Sequence, residues 1–109
     1  VTAAVRFVSA APLLGPLSAI DLEGISWLIT GGESGGPPER ALVMRTAKGW
    51  EPKPQAFAWI RELRDICWEH GVAFFHKQWG GPTPTAGGRR LDHRMWDEMP
   101  ALLRGPALL

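Results

Sequence analysis

The clearest apolar run in the chain is Ile25-Ser26-Trp27-Leu28-Ile29-Thr30, where large apolar side chains fall on both alternating faces. A strand of that kind suits a parallel sheet buried on both sides. Val5-Arg6-Phe7-Val8-Ser9 predicts an earlier short strand from its β-branched and aromatic content, ended by Ala10-Ala11-Pro12. From Pro52 or Pro54 the period changes to that of a helix. Ala56, Trp59, Ile60, Leu63, Ile66 and Cys67 share one stripe, flanked by Phe57 and Trp68, with Arg61, Glu62, Asp65 and Glu69 opposite. Gly71 is a natural left-handed stop, and His70 suits the negative helix end. Val72 to Trp79 follows at once as a third strand. The order strand, connection, strand, loop, helix, strand implies right-handed crossovers and a parallel sheet.

Other stretches are less regular. Leu13 to Gly24 reads as a connection punctuated by Pro and Gly, and residues 39–53 carry no clean period. That leaves roughly 20 residues of loop before the helix, long enough to be functional. Gly80 to Gly88 predicts a flexible or extended loop, and Arg89 to Pro100 a turn leading into one short helix. Ala101 to Leu109 has no periodic support and is expected to fray. Three strands with one helix cannot cover both faces of a parallel sheet. The pattern therefore predicts the C-terminal part of an α/β domain rather than a whole one.

Composition narrows the function classes. At 109 residues, 45% apolar and 21% charged, the chain is a folding globular unit of one small domain or a piece of a larger one. No run of about 18 apolar residues exists, so no membrane span is expected. Pro12, Gly15 and Pro16 also break any signal-peptide core. The net charge of +1 implies neither a nucleic-acid nor a membrane partner. Cys67 is the only cysteine, which excludes an internal disulfide and a cysteine-rich metal site, and favours a cytoplasmic location. Six Trp, four Phe and no Tyr put much apolar surface into few side chains.

Candidate chemistry lies where parallel strands end, because their C-terminal ends carry the sites of parallel α/β folds. Three segments end that way: Ser9-Ala10-Ala11-Pro12, Thr30 to Gly35 and His76 to Trp79, of which the last two carry polar candidates. In Gly31-Gly32-Glu33-Ser34 the glycines can let a ligand approach while Glu33 accepts hydrogen bonds; equally, the segment can be a tight turn with a solvated Glu33. It is neither a phosphate loop nor a dinucleotide fingerprint. Lys77 and Gln78 can place a cation and an amide in a barrel mouth, or simply mark the strand's exit from the core. His76 alternates to the opposite face and reads as a packed or surface residue. His70, His76 and His93 lack metal-ligand spacing, and Cys67 reads as a buried inert thiol. Arg89, Arg90, Arg94 and Trp96 can touch a nucleic-acid backbone and base, but the interleaved Asp92, Asp97 and Glu98 favour a salt-bridged cap.

Five ordered segments together carry a resemblance. They are Val5 to Pro16, Trp27 to Gly35, Trp59 to Asp65, Gly71 to Gly80, and Gly88 to Asp92 followed by Trp96-Asp97-Glu98. Across residues 5–100 they resemble the C-terminal half of the phage gene-product thirty-seven/sixty-eight family of phages and bacteria. The resemblance implies a parallel (β/α) partial barrel in residues 1–80, a loop and cap in 81–100, and a frayed tail in 101–109. It also implies that full-length members carry an N-terminal three-cysteine motif like the cluster loop of radical S-adenosylmethionine enzymes. S-adenosylmethionine and an iron–sulfur cluster are then expected only in full-length relatives, with no cofactor or metal in this chain. Ala11 stands where the family has Glu, and His93 where it has Gly in the Leu-Asp-Gly-Arg turn, which predicts strain there. The expected function is that of a truncated, catalytically incompetent fragment. The alternative is a binding module or subunit that completes a separately encoded N-terminal half, or associates with itself, through the sheet edge. A self-sufficient hydrolase ranks last, for want of a nucleophile–base pair.

Overall fold

The structure, a computed structural model, describes residues 5–101. Three parallel strands form one sheet in the order β1 (Phe7–Ala10), β2 (Trp27–Thr30), β5 (Ala73–His76). Between β2 and β5 lie a hairpin, β3 (Val43–Thr46) and β4 (Gly49–Pro52), and α1 (Pro54–His70), the one α-helix among the described residues. The fold is mixed α/β, with the predicted three parallel strands and one main helix.

Helix α1 begins on Pro54, where the missing N–H costs nothing, and ends at Gly71 in the left-handed conformation, φ 66°. Its buried residues are Ala56, Ile60, Leu63 and Cys67. They pack against Leu28 and Phe74 of the sheet in one hydrophobic cluster. Trp59 and Ile66, expected in the same stripe, are only half-buried and pack against the edge of the cluster. Trp68 flanks the stripe and is 80% exposed. Each fully buried aliphatic side chain here contributes about 1.5–3 kcal/mol.

Burial on both sides of the sheet is not observed. Leu28, Thr30, Phe74 and His76 face the helix and are buried; Trp27, Ile29, Ala73 and Phe75 face the other way and are half-buried. Chain order and sheet order run the same way, without reversal. Right-handed crossovers in one direction bring the connections to one face only. The opposite face carries an aromatic row across all three strands, Phe7 to Trp27 and Trp27 to Phe75, each pair with ring centroids 6.1 Å apart. Phe7 is 58% exposed.

Two further expectations are corrected. Part of the aperiodic stretch 39–53 is the β3–β4 hairpin, closed by Ala47-Lys48 between the paired residues Thr46 and Gly49. Its strands are four residues long and β4 is only half-buried, so no alternation between buried and exposed positions marks them. Residues 89–100 form no helix. Instead Leu91 to Arg94 is a two-residue hairpin turn with Asp92 and His93 at φ 49° and 69°, the geometry in which glycine is favoured at the second position. His93 therefore occupies the strained position expected of it. Beyond the turn, Trp96 to Glu98 lies along the outer edge of β5: His76 N donates to Trp96 O (2.7 Å) and Glu98 N to Phe74 O (3.2 Å). The edge of β5 is thus capped. The expected fraying tail falls at Ala101 and on residues 102–109, the latter outside the described residues.

Leu63→Ala removes a fully buried side chain from the helix–sheet contact. It is expected to cost about 2–5 kcal/mol in urea melts. A loss below about 0.5 kcal/mol, within the range of surface substitutions, would show that this stripe is not core.

Candidate functional site

At the C-terminal ends of the strands, backbone pairing continues past the regular ladder. Lys77 N donates to Thr30 O (2.8 Å), Gly32 N to Gln78 O (3.0 Å), Gly81 N to Glu33 O (3.1 Å) and Gly35 N to Gly81 O (2.8 Å). The segments 31–35 and 77–81 therefore run side by side. Contact is close enough to exclude side chains. A Cβ on Gly32 would overlap the Trp79 carbonyl, and one on Gly80 would press on that of Glu33. The glycines serve this backbone-to-backbone approach. The Gly32 and Gly35 N–H groups are already engaged, so they offer a phosphate no ready-made cradle.

The six predicted residues separate. Gly31, Gly32, Lys77 and Gln78 come together at the strand ends. Glu33 turns to Arg40, which donates through Nε and Nη2 to both carboxylate oxygens at 2.8 Å. That bidentate hydrogen bond holds the Glu33 carboxyl below the usual carboxylate range. Ser34 is exposed and bridged to Gly81. Lys77 is exposed.

Beneath these loops lies a polar pair that the sequence pattern did not single out. Thr30 and His76 are register partners, and both are fully buried. Thr30 Oγ1 is hydrogen-bonded to His76 Nδ1 at 2.9 Å. The His76 ring meets Trp79 edge-on at 4.5 Å, and Trp79 stacks on Phe57 at 5.8 Å. Burial, assisted by the Arg89 charge, pushes the imidazole down to about 4. His76 is therefore neutral at pH 7, and its Nε2 has no partner. Two polar residues ending neighbouring strands were the available signal, but only the register brings them together.

The C-terminal cap is held by ion pairs, as the interleaved charges suggested. Asp92 pairs with Arg64 and, at 3.2 Å, with Arg61. Arg94 lies 3.8 Å from the Trp96 ring centroid and Arg64 5.1 Å from it. A groove of about 1150 Å³, lined by residues including Ser26, Trp68, Ala73 and Trp96, lies at the opposite, N-terminal ends of the strands. Cys67 is buried there against the helix–sheet contact, and desolvation pushes its thiol up to about 12. It is an inert packing residue.

A family model described as "Protein of unknown function (DUF5131)" matches residues 1–100. The chain belongs to the DUF5131 family. Neither a curated protein nor a solved structure matches it. The DUF5131 match covers the whole sheet, the helix and the ion-paired cap. Within this DUF5131 chain a thiolate-bound cluster does not fit. Its single cysteine is buried, strongly disfavoured as a thiolate, and remote from the strand ends that carry the candidate residues.

Two outcomes are expected. Gly32→Ala should cost about 3 kcal/mol or more by forcing the paired loops apart, whereas Gly15→Ala, with open space around it, should stay within about 0.5 kcal/mol. Equal effects in chemical melts would refute the close-packing account. The second concerns pH. His76 has a lowered folded-state value, so its stabilising contribution is complete above its unfolded value near 6.5 and is lost progressively as pH falls toward about 4. The loss across that window is of order 3 kcal/mol. Urea melts between pH 7 and 4.5, with NMR titration of His76, measure it; an imidazole titrating near 6.5 would overturn it.

Proposed function

We propose that this DUF5131 chain is one portion of a larger parallel α/β assembly, a (β/α) partial barrel, and is catalytically incompetent alone. The carrying observation is the asymmetry of its sheet. One face is closed by α1, while the other is an aromatic row left half-buried or exposed, and β5 is capped while β1, among the described residues, is not. A one-direction parallel sheet with its helix outside is how a barrel wall is built, and the uncovered face then corresponds to the barrel interior. Gly31, Gly32, Glu33, Ser34, Lys77 and Gln78 would form part of its rim.

The resemblance to radical S-adenosylmethionine proteins fits this arrangement only if a separate portion supplies the three cysteines. The role left to this chain is to shape one wall and its rim. Whichever portion extends the sheet, its docking surface is the same: the β1 edge and the face carrying Phe7, Trp27 and Phe75. Parallel strands are rarely stable with such an exposed edge and face. A net charge of +1 offers little repulsion against association.

The isolated chain is therefore expected to be oligomeric and of low stability. It should gain a sharp transition when mixed with the N-terminal half of a full-length relative. Size-exclusion chromatography with light scattering and thermal melts measure this. A monodisperse monomer melting cooperatively above about 65 °C, the upper end for ordinary mesophile domains, would show that the sheet closes on itself.

A further inference from the structure

Three methionines stand at the surface: Met44, Met95 and Met99, exposed to 43%, 47% and 41%. The one cysteine, Cys67, is buried. An oxidant in solution therefore meets thioether sulfur in this chain before thiol sulfur. Exposure does not distinguish the three methionines, but their surroundings do. Met44 lies across the β3–β4 ladder from Glu51, and Met99 lines the groove at the N-terminal ends of the strands. Met95 alone, among the described residues, has a sulfur that accepts a hydrogen bond. Arg89 Nη1 donates to its Sδ at 3.6 Å, in an exposed contact.

Arg89 and Met95 stand on the two arms of the Leu91–Arg94 turn, so this contact clasps the turn from the side. The arms are also joined by Leu91 N to Arg94 O (2.9 Å) and Arg94 N to Leu91 O (3.3 Å). The second arm carries Trp96, whose carbonyl accepts from His76 N at the edge of β5. Arg89 is held from the other side too, with its guanidinium carbon 5.4 Å from the Phe75 ring centroid. The clasp itself is weak. A thioether is a poor acceptor, and among the described residues no carboxylate pairs with Arg89. Nη2 is buried and takes no part; Nη1 is the donor that reaches the sulfur.

We propose that Met95 is a reversible oxidation site whose sulfoxide oxygen becomes the acceptor for Arg89 and tightens the C-terminal cap on β5. The oxidant is a peroxide. A lone pair of Sδ attacks one peroxide oxygen, the S–O bond forms and the O–O bond breaks. The attacked oxygen passes its proton to the departing hydroxide, which leaves as water. The sulfur is oxidised by two electrons and the peroxide is reduced. The new oxygen then stands beside the guanidinium that already touches the sulfur, and a charge-assisted bond replaces a weak one. Sulfoxide formation ordinarily disrupts packing. At Met95 the half-exposed side chain gives up little packing while the arm gains a bond; Met44 and Met99 lack that compensation. Methionine sulfoxide reductases restore the thioether. The proposal concerns the cap alone and does not depend on reading the sheet as a barrel wall.

The test uses the full chain carrying Met44→Leu and Met99→Leu, so that Met95 is its only methionine. It is treated with hydrogen peroxide, and mass spectrometry checks for one added oxygen. Amide hydrogen exchange is measured before and after. Exchange is expected to slow about threefold or more at His76, Leu91 and Arg94, the modest end for a hydrogen bond to a charged group. It should return to its starting rate once the two epimer-specific reductases have acted. The Met95→Leu chain, oxidised at Met44 and Met99, should show no slowing at these amides. Nor should an Arg89→Leu version of the Met95-only chain. Each variant is compared with its own reduced form, so differences in stability between variants do not enter. The Arg89 side-chain ¹⁵N resonances should also shift on oxidation, a readout that needs no variant at Arg89. Unchanged or faster exchange in the oxidised Met95-only chain would overturn the proposal. So would equal slowing with Arg89→Leu, or a Met95 that resists peroxide while Met44 and Met99 oxidise.

Discussion

The sheet depends on the pairing that carries β2 and β5 beyond their regular ends. In a three-stranded sheet the central strand has two neighbours and little length, so each additional backbone bond matters. Here β2 and β5 contribute four residues each, and the glycine segments extend their contact through Gly35 and Gly81. The extension forces two loops into backbone contact. That placement sets where Glu33 meets Arg40 and puts Trp79 over His76. Trp79 then anchors the next loop, because its N–H donates to Gly88 O (2.9 Å) and its indole to Arg90 O (2.8 Å). One close approach thereby organises residues from 31 to 90.

The second organising element is electrostatic and lies at the other end of the chain. Asp92 occupies a turn at positive φ and is gripped by two arginines of α1. Its carboxyl is held below the usual range, chiefly by its hydrogen bond from Arg64. The ion pairs are partly exposed and individually modest. Their effect is positional: they fasten the turn to the helix so that residues 96–98 reach the edge of β5. The Trp27 indole adds a bond to Glu98 O at 2.9 Å, tying the same segment to the central strand.

The helical period was sufficient for α1, and apolar, β-branched and aromatic content for β1, β2 and β5, although β1 has no fully buried residue. The strand boundaries shift by up to three residues, since side-chain pattern marks burial and not the hydrogen-bond ladder. The β3–β4 hairpin was not legible. Its contacts are cross-strand, such as Arg45 against Trp50, and leave no buried face to read. Helical burial of Arg89 to Pro100 was a false expectation; Leu91 is the fully buried apolar side chain of that stretch, and no second one lies a helical turn away. Of the candidate site, the strand ends were legible from topology. The glycine spacing was visible, but its reason, backbone facing backbone, required the register. The Thr30–His76 pair required it too.

A sheet capped at β5 and, among the described residues, bare at β1 has a direction. Two copies of this chain that met through β1 about a two-fold axis would pair their strands antiparallel, because such an axis reverses the neighbour. The rest of the sheet is parallel. A continuation in the same sense requires a strand that differs from β1, or a screw-like repeat that cannot close on two copies. Homodimers formed at this edge would therefore be structural dead ends: their strands would pair, but the parallel sheet would not continue. The geometry of this strand thus separates a self-made complex from a heterologous one that continues the sheet in parallel.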